Sequence, residues 1–449
     1  SWNIDSSSNR GFFTRNLSDP RILYLAAQDS PGYLRFGGTG NDDLYYGVLD
    51  DCAGQAASGL SECLNATMFD SLMQLADAAK AKVVFGLGIR MRTAPSTAHP
   101  KGLWNATNAR QLFAYAKSKG AVPYGFELGN EQNKYLTPEE QAFDFATLHA
   151  ALQEDFPADA QPLLFGPDPH SFKSVPPSSS VLGYLAGFAT AVAASNTPLA
   201  GITHHEYIEV DYERSLEYSV LDETGTIAAA VNDTVRKILP DVKVFAGEIG
   251  PHNGGSPGCD VAPGRWTNFA DSFWYIDAMG SKAKNGYQAF CRQNFVGIDY
   301  GLIDCATYAP FPDFFTGIIW SKTMGQRVRP TKRPGDTLRV YSHCTAGASN
   351  GSVSVVIINL SPSSADVSLS FETGDSSGGK LSEVYAFTAD STNSTTVSLN
   401  GEPLTFDSKA WKLPAMPPAA VANTGTMTLP GLSITFIVYP EAGVPLCKF

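Results

Sequence analysis

The sequence predicts an α/β chain: a (β/α)8 TIM barrel over residues 1–320, then an antiparallel β-sandwich over residues 321–449. Two features carry this expectation. Through the first two-thirds of the chain, short apolar runs ending in Gly or polar residues alternate with amphipathic stretches. After about residue 320 the helical spacing gives way to β-branched runs separated by Gly, Ser and Pro. Regular alternation of strand and helix implies a parallel sheet, and eight such units close one into a barrel.

The eight runs are SWNID (1–5), YLRFGG (33–38), VVFGLG (83–88), YGFELGNE (124–131), PLLFGPD (162–168), AGITHHEY (200–207), VKVFAGE (242–248) and QAFCRQN (288–294). Between them, MFDSLMQLADAAKAK (68–82), NARQLFAYAKSKG (108–120) and TIAAAVNDTVRKILP (226–240) place apolar residues at helical spacing. The later strands are read at TLRVYSHC (337–344), VSVVIIN (353–359), ADVSLSFE (365–372), LSEVYAF (381–387) and LSITFIVYP (432–440).

Composition narrows the function. The chain of 449 residues has 32 basic and 44 acidic residues, a net charge of −12 and a pI near 5.1. A general affinity for nucleic acid or an anionic membrane needs a basic face, so neither partner is expected. No run of 18 uncharged apolar residues occurs, so no membrane insertion is expected. The first residues already read as a strand, as in a mature form whose leader has been removed. Seven cysteines and seven Asn-X-Ser/Thr triplets (Asn16, Asn65, Asn105, Asn232, Asn350, Asn359 and Asn393) favour a secreted glycoprotein, extracellular, vacuolar or in the cell wall. The expected bridges are Cys52 with Cys63 and Cys344 with Cys447, the second stapling the two ends of the sandwich. An odd count leaves at least one thiol unpaired within the chain.

Barrel active sites lie at the C-terminal strand ends. Here those ends are acidic and polar: Asp5, Asn130-Glu131, His204-His205-Glu206-Tyr207, Glu248 and Arg292-Gln293. Strands four and seven lie nearly opposite in an eight-strand barrel, so Glu131 and Glu248 can approach across the mouth. Two facing carboxylates are what glycoside hydrolysis requires, one to protonate the leaving oxygen and one to attack the anomeric carbon or activate water. Unequal pKa values are needed to keep the acid protonated, and repulsion between close carboxylates supplies part of that difference. A Glu at a strand end is otherwise an ordinary surface residue or ion-pair partner; it is the pair on these two strands that points to chemistry.

YLRFGGTGND (33–42), FELGNEQN (126–133), ITHHEY (202–207), GEIGPHNGG (247–255) and CRQNFVGIDYGLID (291–304) resemble the heparanase and β-glucuronidase family, glycoside hydrolase family 79. The likeness continues through 310–328 and 429–440, with a plant-type, heparanase-like flavour, and so spans nearly the whole chain. The resemblance implies a retaining hydrolase of β-linked glucuronides without cofactor or metal. Glu131 would be the acid/base, Glu248 the nucleophile and Asn130 the partner of the sugar 2-hydroxyl. Gly254, Gly255 and Tyr300 match the positions that hold the glucuronate carboxylate. Asp5, Thr39 and Gln293 match other sugar-contacting positions, and His205 joins the rim. Glu206 and Asn253 depart from the mammalian pattern, and the basic clusters of a heparan sulfate binder are not evident. Family members usually carry an extra N-terminal strand that completes the sandwich; here it is expected to be missing or to lie on a removed segment.

His204 and His205 are adjacent and so point opposite ways, which disfavours a shared metal. Arg35, inside a strand, is expected to pair with a barrel carboxylate such as Glu248. Cys291 reads as core; Trp266, Trp274 and Trp320 read as core or as a sugar platform. Four functions remain in view: an exo-acting β-glucuronidase, an endo-enzyme on a glycosaminoglycan, a glycosidase for a neutral sugar, and a catalytically idle carbohydrate-binding protein. Net charge weighs against the second, the glycine and tyrosine matches against the third, and retention of both glutamates against the fourth.

Overall fold

The computed structural model describes residues 1–7, 15–170, 172, 173, 175–208, 214–252, 265–298, 300–332, 335, 337–371 and 381–448. The chain divides into two compact units. One comprises Ser1–Glu209, Thr226–Val261 and Gly286–Ile298; the other comprises Val210–Gly225, Ala262–Asn285 and Asp299–Phe449.

The first unit contains a closed parallel barrel of β1 (Trp2–Asp5), β2 (Tyr33–Gly37), β3 (Lys82–Leu87), β4 (Gly125–Leu128), β5 (Leu163–Pro167), β6 (Gly201–Tyr207), β7 (Lys243–Gly250) and β8 (Tyr287–Arg292). All eight coincide with the apolar runs read from the sequence. Two of the expected helices span Ala66–Ala79 and Thr107–Lys119, and the third is longer than expected, Tyr218–Arg236. Helix Pro138–Asp155 opens with a capping box: the Thr137 hydroxyl accepts from the Glu140 N–H and the Glu140 carboxylate accepts from the Thr137 N–H.

The barrel floor is built by alternation between strands. Val84 of β3, Phe165 of β5 and Phe245 of β7 pack together, with the two Phe rings edge to face at 5.2 Å. The intervening strands contribute glycine. A Cβ on Gly125 would lie 2.4 Å from the Phe165 ring, and one on Gly201 would lie 2.6 Å from the Phe245 ring. Bulky residues on odd strands thus fill the space that small residues on even strands leave. Two residues further along, on the same inward face, the apolar floor gives way to charge: Arg35 on β2 and Glu127 on β4.

In the second unit, strands Leu338–Thr345, Val353–Asn359, Ser433–Tyr439 and Leu381–Thr388 pair in antiparallel order. Met324–Arg329 forms one edge, and a two-stranded sheet of Ala365–Val367 with Met427–Leu429 supplies the smaller layer. Val353, Val355, Ile357, Leu429, Ile437 and the Cys344–Cys447 bridge form its core. Helix Phe269–Lys284 meets strand Leu338–Thr345 through Gly280, whose absent side chain admits the Tyr341 ring, and through buried Asp277, which accepts from Arg339 and from the Tyr341 hydroxyl.

Cys52–Cys63 is bridged as expected, Cys305 is disulfide-bonded, and Cys291 is a buried free thiol pushed up to about 12 by burial. Trp266 and Trp274 are buried core residues, and Trp320 is half-buried, packing edge-on against His343 and Phe436. Of the seven triplets, Asn359 is fully buried with its amide donating to the Ser363 and Pro430 carbonyls, which removes it as a glycan acceptor. No helix among the described residues is long and apolar enough to cross a membrane.

Candidate active site

The site is organised around one buried cation. Arg35 is 2% exposed, and its guanidinium rises over Gly37, where a Cβ would stand 2.4 Å from Cζ. Its Nε donates to Glu127 Oε2 (2.7 Å), Nη1 to Glu248 Oε2 (2.9 Å), and Nη2 to Asp168 Oδ2 (2.9 Å) and Asn130 Oδ1 (3.1 Å). Arg35 therefore pairs with Glu248, as expected, and also with two acids the sequence reading did not single out. Burial works against the guanidinium charge, but Asp168, Glu127 and Glu248 outweigh it and raise its pKa well above the usual value. Asp168 is likewise held low against its own burial by Arg35 and His205, whereas burial pushes Glu127 well up.

Glu248 faces the barrel interior because β7 carries a bulge. His204 pairs with Ala246 but His205 with Glu248, which leaves Gly247 as an extra residue; the pairing with β8 shifts over the same stretch. Plain alternation from inward Phe245 would aim Glu248 outward; the extra residue turns it in. Its second oxygen, Oε1, accepts from the Tyr207 hydroxyl at 2.5 Å. Both oxygens of Glu248 thus receive hydrogen bonds, one from a cation.

Glu131 follows β4 in a left-handed turn, with φ of 54°. Three contacts hold that conformation. Asp42 accepts from the Asn130 N–H (2.9 Å) and the Gln132 amide (2.7 Å), and the Glu131 N–H donates to the Asp168 carbonyl (2.9 Å). Burial pushes Asp42 up to about 8. The carboxylate of Glu131 lies between two imidazoles: His205 Nδ1 is 3.0 Å from Oε1 and His170 Nδ1 is 2.7 Å from Oε2. Burial acts to raise the Glu131 pKa, but His170 and His205 overcome it and hold the group well below the usual carboxylate range. The free site therefore keeps Glu131 ionised, opposite to the raised pKa expected of an acid.

His205 is fully buried, which disfavours its charge, yet Glu248 and Asp168 raise it to about 10. Its neighbour His204 faces away, with Nε2 2.8 Å from the Tyr287 hydroxyl. Glu206 lies on that same side, where its charge helps raise Tyr287, so this third acid does not join the pair.

Atoms of Glu131, His205 and Glu248 lie within 4.8 Å of one another, a grouping a cation could use. Arg35 and His205 already place positive charge on those carboxylates, so a second cation would meet repulsion rather than an anionic nest.

Of the other expected residues, Asp5 and Gln293 come together, with Nε2 of Gln293 donating to Asp5 Oδ2 at 2.6 Å. Gly38 abuts Asp5, and Thr39 is exposed at the start of the short turn Thr39–Asp43 that follows. The Arg292 side chain donates to the Gln293 carbonyl. Gly254, Gly255 and Asn253 lie outside the described residues. Tyr300 belongs to the second unit, where it is 1% exposed. The sequence reading missed Tyr207, Asp168, Glu127, Asp42 and His170. Asp42, Glu127 and Asp168 each lie in a quoted strand or motif, but ranking them required knowing which side chains turn inward.

The chain is 27% identical to baicalin-β-D-glucuronidase of Scutellaria baicalensis over 96% of its length and 84% of the relative's. It is 27% identical to mouse heparanase, covering 97% and 88% of the two chains, and 25% identical to heparanase-like protein 1 of Arabidopsis thaliana, covering 96% and 86%. Among solved structures, a 4-O-α-L-rhamnosyl-β-D-glucuronidase from Fusarium oxysporum superimposes with a TM-score of 0.69 at 15% identity, over 97% of this chain and 95% of that one, a likeness of fold. The model of the N-terminal domain of glycosyl hydrolase family 79 matches residues 13–280, which carry β2 to β7 and both rim glutamates, and the chain belongs to that family.

Proposed function

We propose that this chain is a retaining, exo-acting β-glucuronidase that releases terminal β-linked glucuronate from a glycan or an aryl glucuronide. The observation that carries the proposal is that one oxygen of Glu131 lies within 4.8 Å of one oxygen of Glu248, which supports the close spacing of a retaining pair. Retaining enzymes hold their carboxyls ~5 Å apart, whereas inverting enzymes leave ~6.5–9.5 Å for a water. Glu248, aimed by Arg35 and Tyr207, attacks the anomeric carbon and forms the glycosyl-enzyme bond. Glu131 protonates the departing oxygen and then takes a proton from the water that cleaves the intermediate. Asn130 offers its carbonyl oxygen to Arg35, which leaves its NH2 group for the sugar 2-hydroxyl. Asp5 and Gln293, joined to each other, are proposed to bind other hydroxyls.

The name of one relative, baicalin-β-D-glucuronidase, supports glucuronate as the sugar, with Gly254, Gly255 and Tyr300 proposed to hold its carboxylate. A net charge of −12 weighs against an endo-enzyme that must bind a long polyanion. The bridges Cys52–Cys63 and Cys344–Cys447 support folding in an oxidising compartment, and hence secretion or delivery to the vacuole or cell wall.

The test is the initial rate on 4-nitrophenyl β-D-glucuronide beside the β-glucoside, for the parent and for Glu131→Gln and Glu248→Gln. Glucuronide hydrolysis that vanishes in Glu248→Gln, with the β-anomer as first product, is expected. Turnover of the glucoside alone would refute the choice of sugar, and an α-anomer would refute retention.

A further inference from the structure

Glu131 has an imidazole on each oxygen, and the two differ in what else they touch. His205, on Oε1, is fully buried and also lies 3.4 Å from Asp168, 4.0 Å from Glu248 and 3.3 Å from Arg35 Nη2. Although burial and Arg35 oppose its charge, Glu248 and Asp168 outweigh them, so it keeps its proton. His170, on Oε2, stands at the solvent side of the carboxylate with its side chain 26% exposed. It is fixed from behind, where its backbone N–H donates to Asn133 Oδ1 at 2.6 Å. Lys134 Nζ lies 3.8 Å from the same Glu131 oxygen, Glu248 stands within 4.8 Å, and Asp42 underlies the turn. Among the described residues, those charged groups face Glu131.

An acid/base carboxyl must carry a proton in one half-reaction and lack it in the next. Each Glu131 oxygen faces an imidazole nitrogen, at 3.0 Å and 2.7 Å, and the two imidazoles hold its pKa low against burial, so a proton must reach Glu131 before it can act as an acid. His205 is held as a cation by three acids, so the other imidazole is the one able to yield. We propose that His170 is a positioning residue that shares one proton with Glu131, so that the acid of the reaction is the His170–Glu131 pair. This rests on the assignment of Glu131 as acid/base in a retaining glucuronidase.

The step balances. In the proposed pair one proton is shared between His170 Nδ1 and Glu131 Oε2 across 2.7 Å; when it sits on Oε2 the pair is an imidazole and a carboxylic acid, with the net charge unchanged. Glu131 then gives a proton to the glycosidic oxygen as Glu248 bonds to C1 and the C1–O bond breaks, its electron pair staying on that oxygen. In the second half, the water oxygen bonds to C1 as the Glu248–C1 bond breaks with its pair returning to the carboxylate, and the water's proton goes to Glu131 and is shared again with Nδ1.

Two roles for His170 make opposite predictions for the alkaline limb of kcat/KM. If the pair shares a proton, the limb reports loss of that proton from both groups together. Replacing His170 leaves a carboxyl that faces only His205, which holds its pKa low, so the limb moves toward acid. Unperturbed imidazole and carboxyl pKa values differ by about two units, which sets a shift of about one unit or more. If His170 is a fixed neutral donor that only stabilises the carboxylate, its loss raises the Glu131 pKa and the limb moves toward alkali.

The experiment is the pH profile of kcat/KM on 4-nitrophenyl β-D-glucuronide for the parent, His170→Phe and His170→Gln. The glutamine keeps a donor but cannot hold a titrating proton. The expected result is an acid-ward shift in both variants. An alkaline shift in His170→Phe, an unmoved limb in it, or an unmoved limb in His170→Gln would overturn the proposal while leaving the glucuronidase assignment intact. A parent inactive on the glucuronide would instead overturn that assignment, and with it the acid/base role of Glu131.

Discussion

Replacing Arg35 with Met tests whether one guanidinium holds the site's charges together. The side chains are of similar length, so the change removes the charge and four hydrogen-bonding contacts while filling much of the same space. Asp168 and Glu248 then lose a cation at 2.9 Å each, in a setting where Arg35 is 2% exposed. Breaking a buried pair by removing one partner costs about 3–5 kcal/mol, because the remaining charge is left uncompensated. For a unit of this size that corresponds to a fall in Tm of roughly 10 °C at pH 7. The loss should depend on pH in a definite direction. Asp168 is depressed in the native state, so its contribution is present above its unfolded pKa of ~3.9 and is lost as pH falls below that value toward the folded pKa. The gap between parent and variant should therefore be wide from pH 7 to 5 and narrow below about pH 4. Thermal unfolding by circular dichroism at pH 7, 5 and 3.5 measures it, with glucuronide turnover run beside it. A Tm within 2 °C of the parent at pH 7, or a gap that widens in acid, would refute the role given to Arg35.

Tyr207→Phe removes one hydrogen bond from Glu248 and leaves the ring in place. A bond to a charged group contributes about 1.5–3 kcal/mol to stability, so the Tm should fall by roughly 5 °C, and kcat should fall roughly 10-fold or more if the bond also aims Glu248; equal kcat would show that Tyr207 does not position Glu248 for reaction. Gly37→Ala would place a methyl 2.4 Å from Arg35 Cζ, so it should abolish turnover and lower the Tm, both read from the purified variant. His205, raised to about 10, contributes stability that is present below its unfolded pKa of ~6.5 and is lost as pH rises toward the folded value. Urea titrations from pH 6.5 to 10 should show a decline of up to about 1.4 kcal/mol per unit that is absent in His205→Gln. Cys344→Ser with Cys447→Ser opens a loop spanning 103 residues in the sandwich, a loss of up to about 4.7 kcal/mol by the chain-entropy estimate, visible as a reducing-agent-insensitive fall in its unfolding midpoint.

The eight barrel strands were legible because each is an apolar run closed by Gly or a polar residue, a signal that needs no tertiary context. The sandwich was only partly so. Helix Pro312–Thr323 carries Pro at its first position and apolar residues at 314, 315, 318 and 319, a helical pattern that the β texture immediately after it obscures. Strand Met324–Arg329 was missed because it is polar and largely unburied. The pieces at Ser398–Leu399, Glu402–Pro403 and Ala419–Ala422 are too short for period-two alternation to register.

At the site, what sequence could reveal was chemistry at strand ends; what it could not reveal was which way each side chain turns. Glu131 and Glu248 stood out because a carboxylate ending a buried run is costly without a task. Arg35 stood out because a guanidinium inside a strand must find an anion. Tyr207 did not, although it sits in the same quoted run as His205. It shares the inward face of β6 with His205, and it meets Glu248 because the extra Gly247 on β7 turns that glutamate from the outer face to the inner one. A bulge is a one-residue event in a ladder between two strands, and one strand's sequence carries only half of it. Asp42 and His170 lie further still from local legibility. Each sits outside the barrel strands and acts on Glu131 through the path of a loop, from the turn after β2 and from the segment after β5. Residues that do the chemistry are conspicuous because their cost is local. Those that aim them have costs met by distant partners, and they show themselves only when the chain is folded.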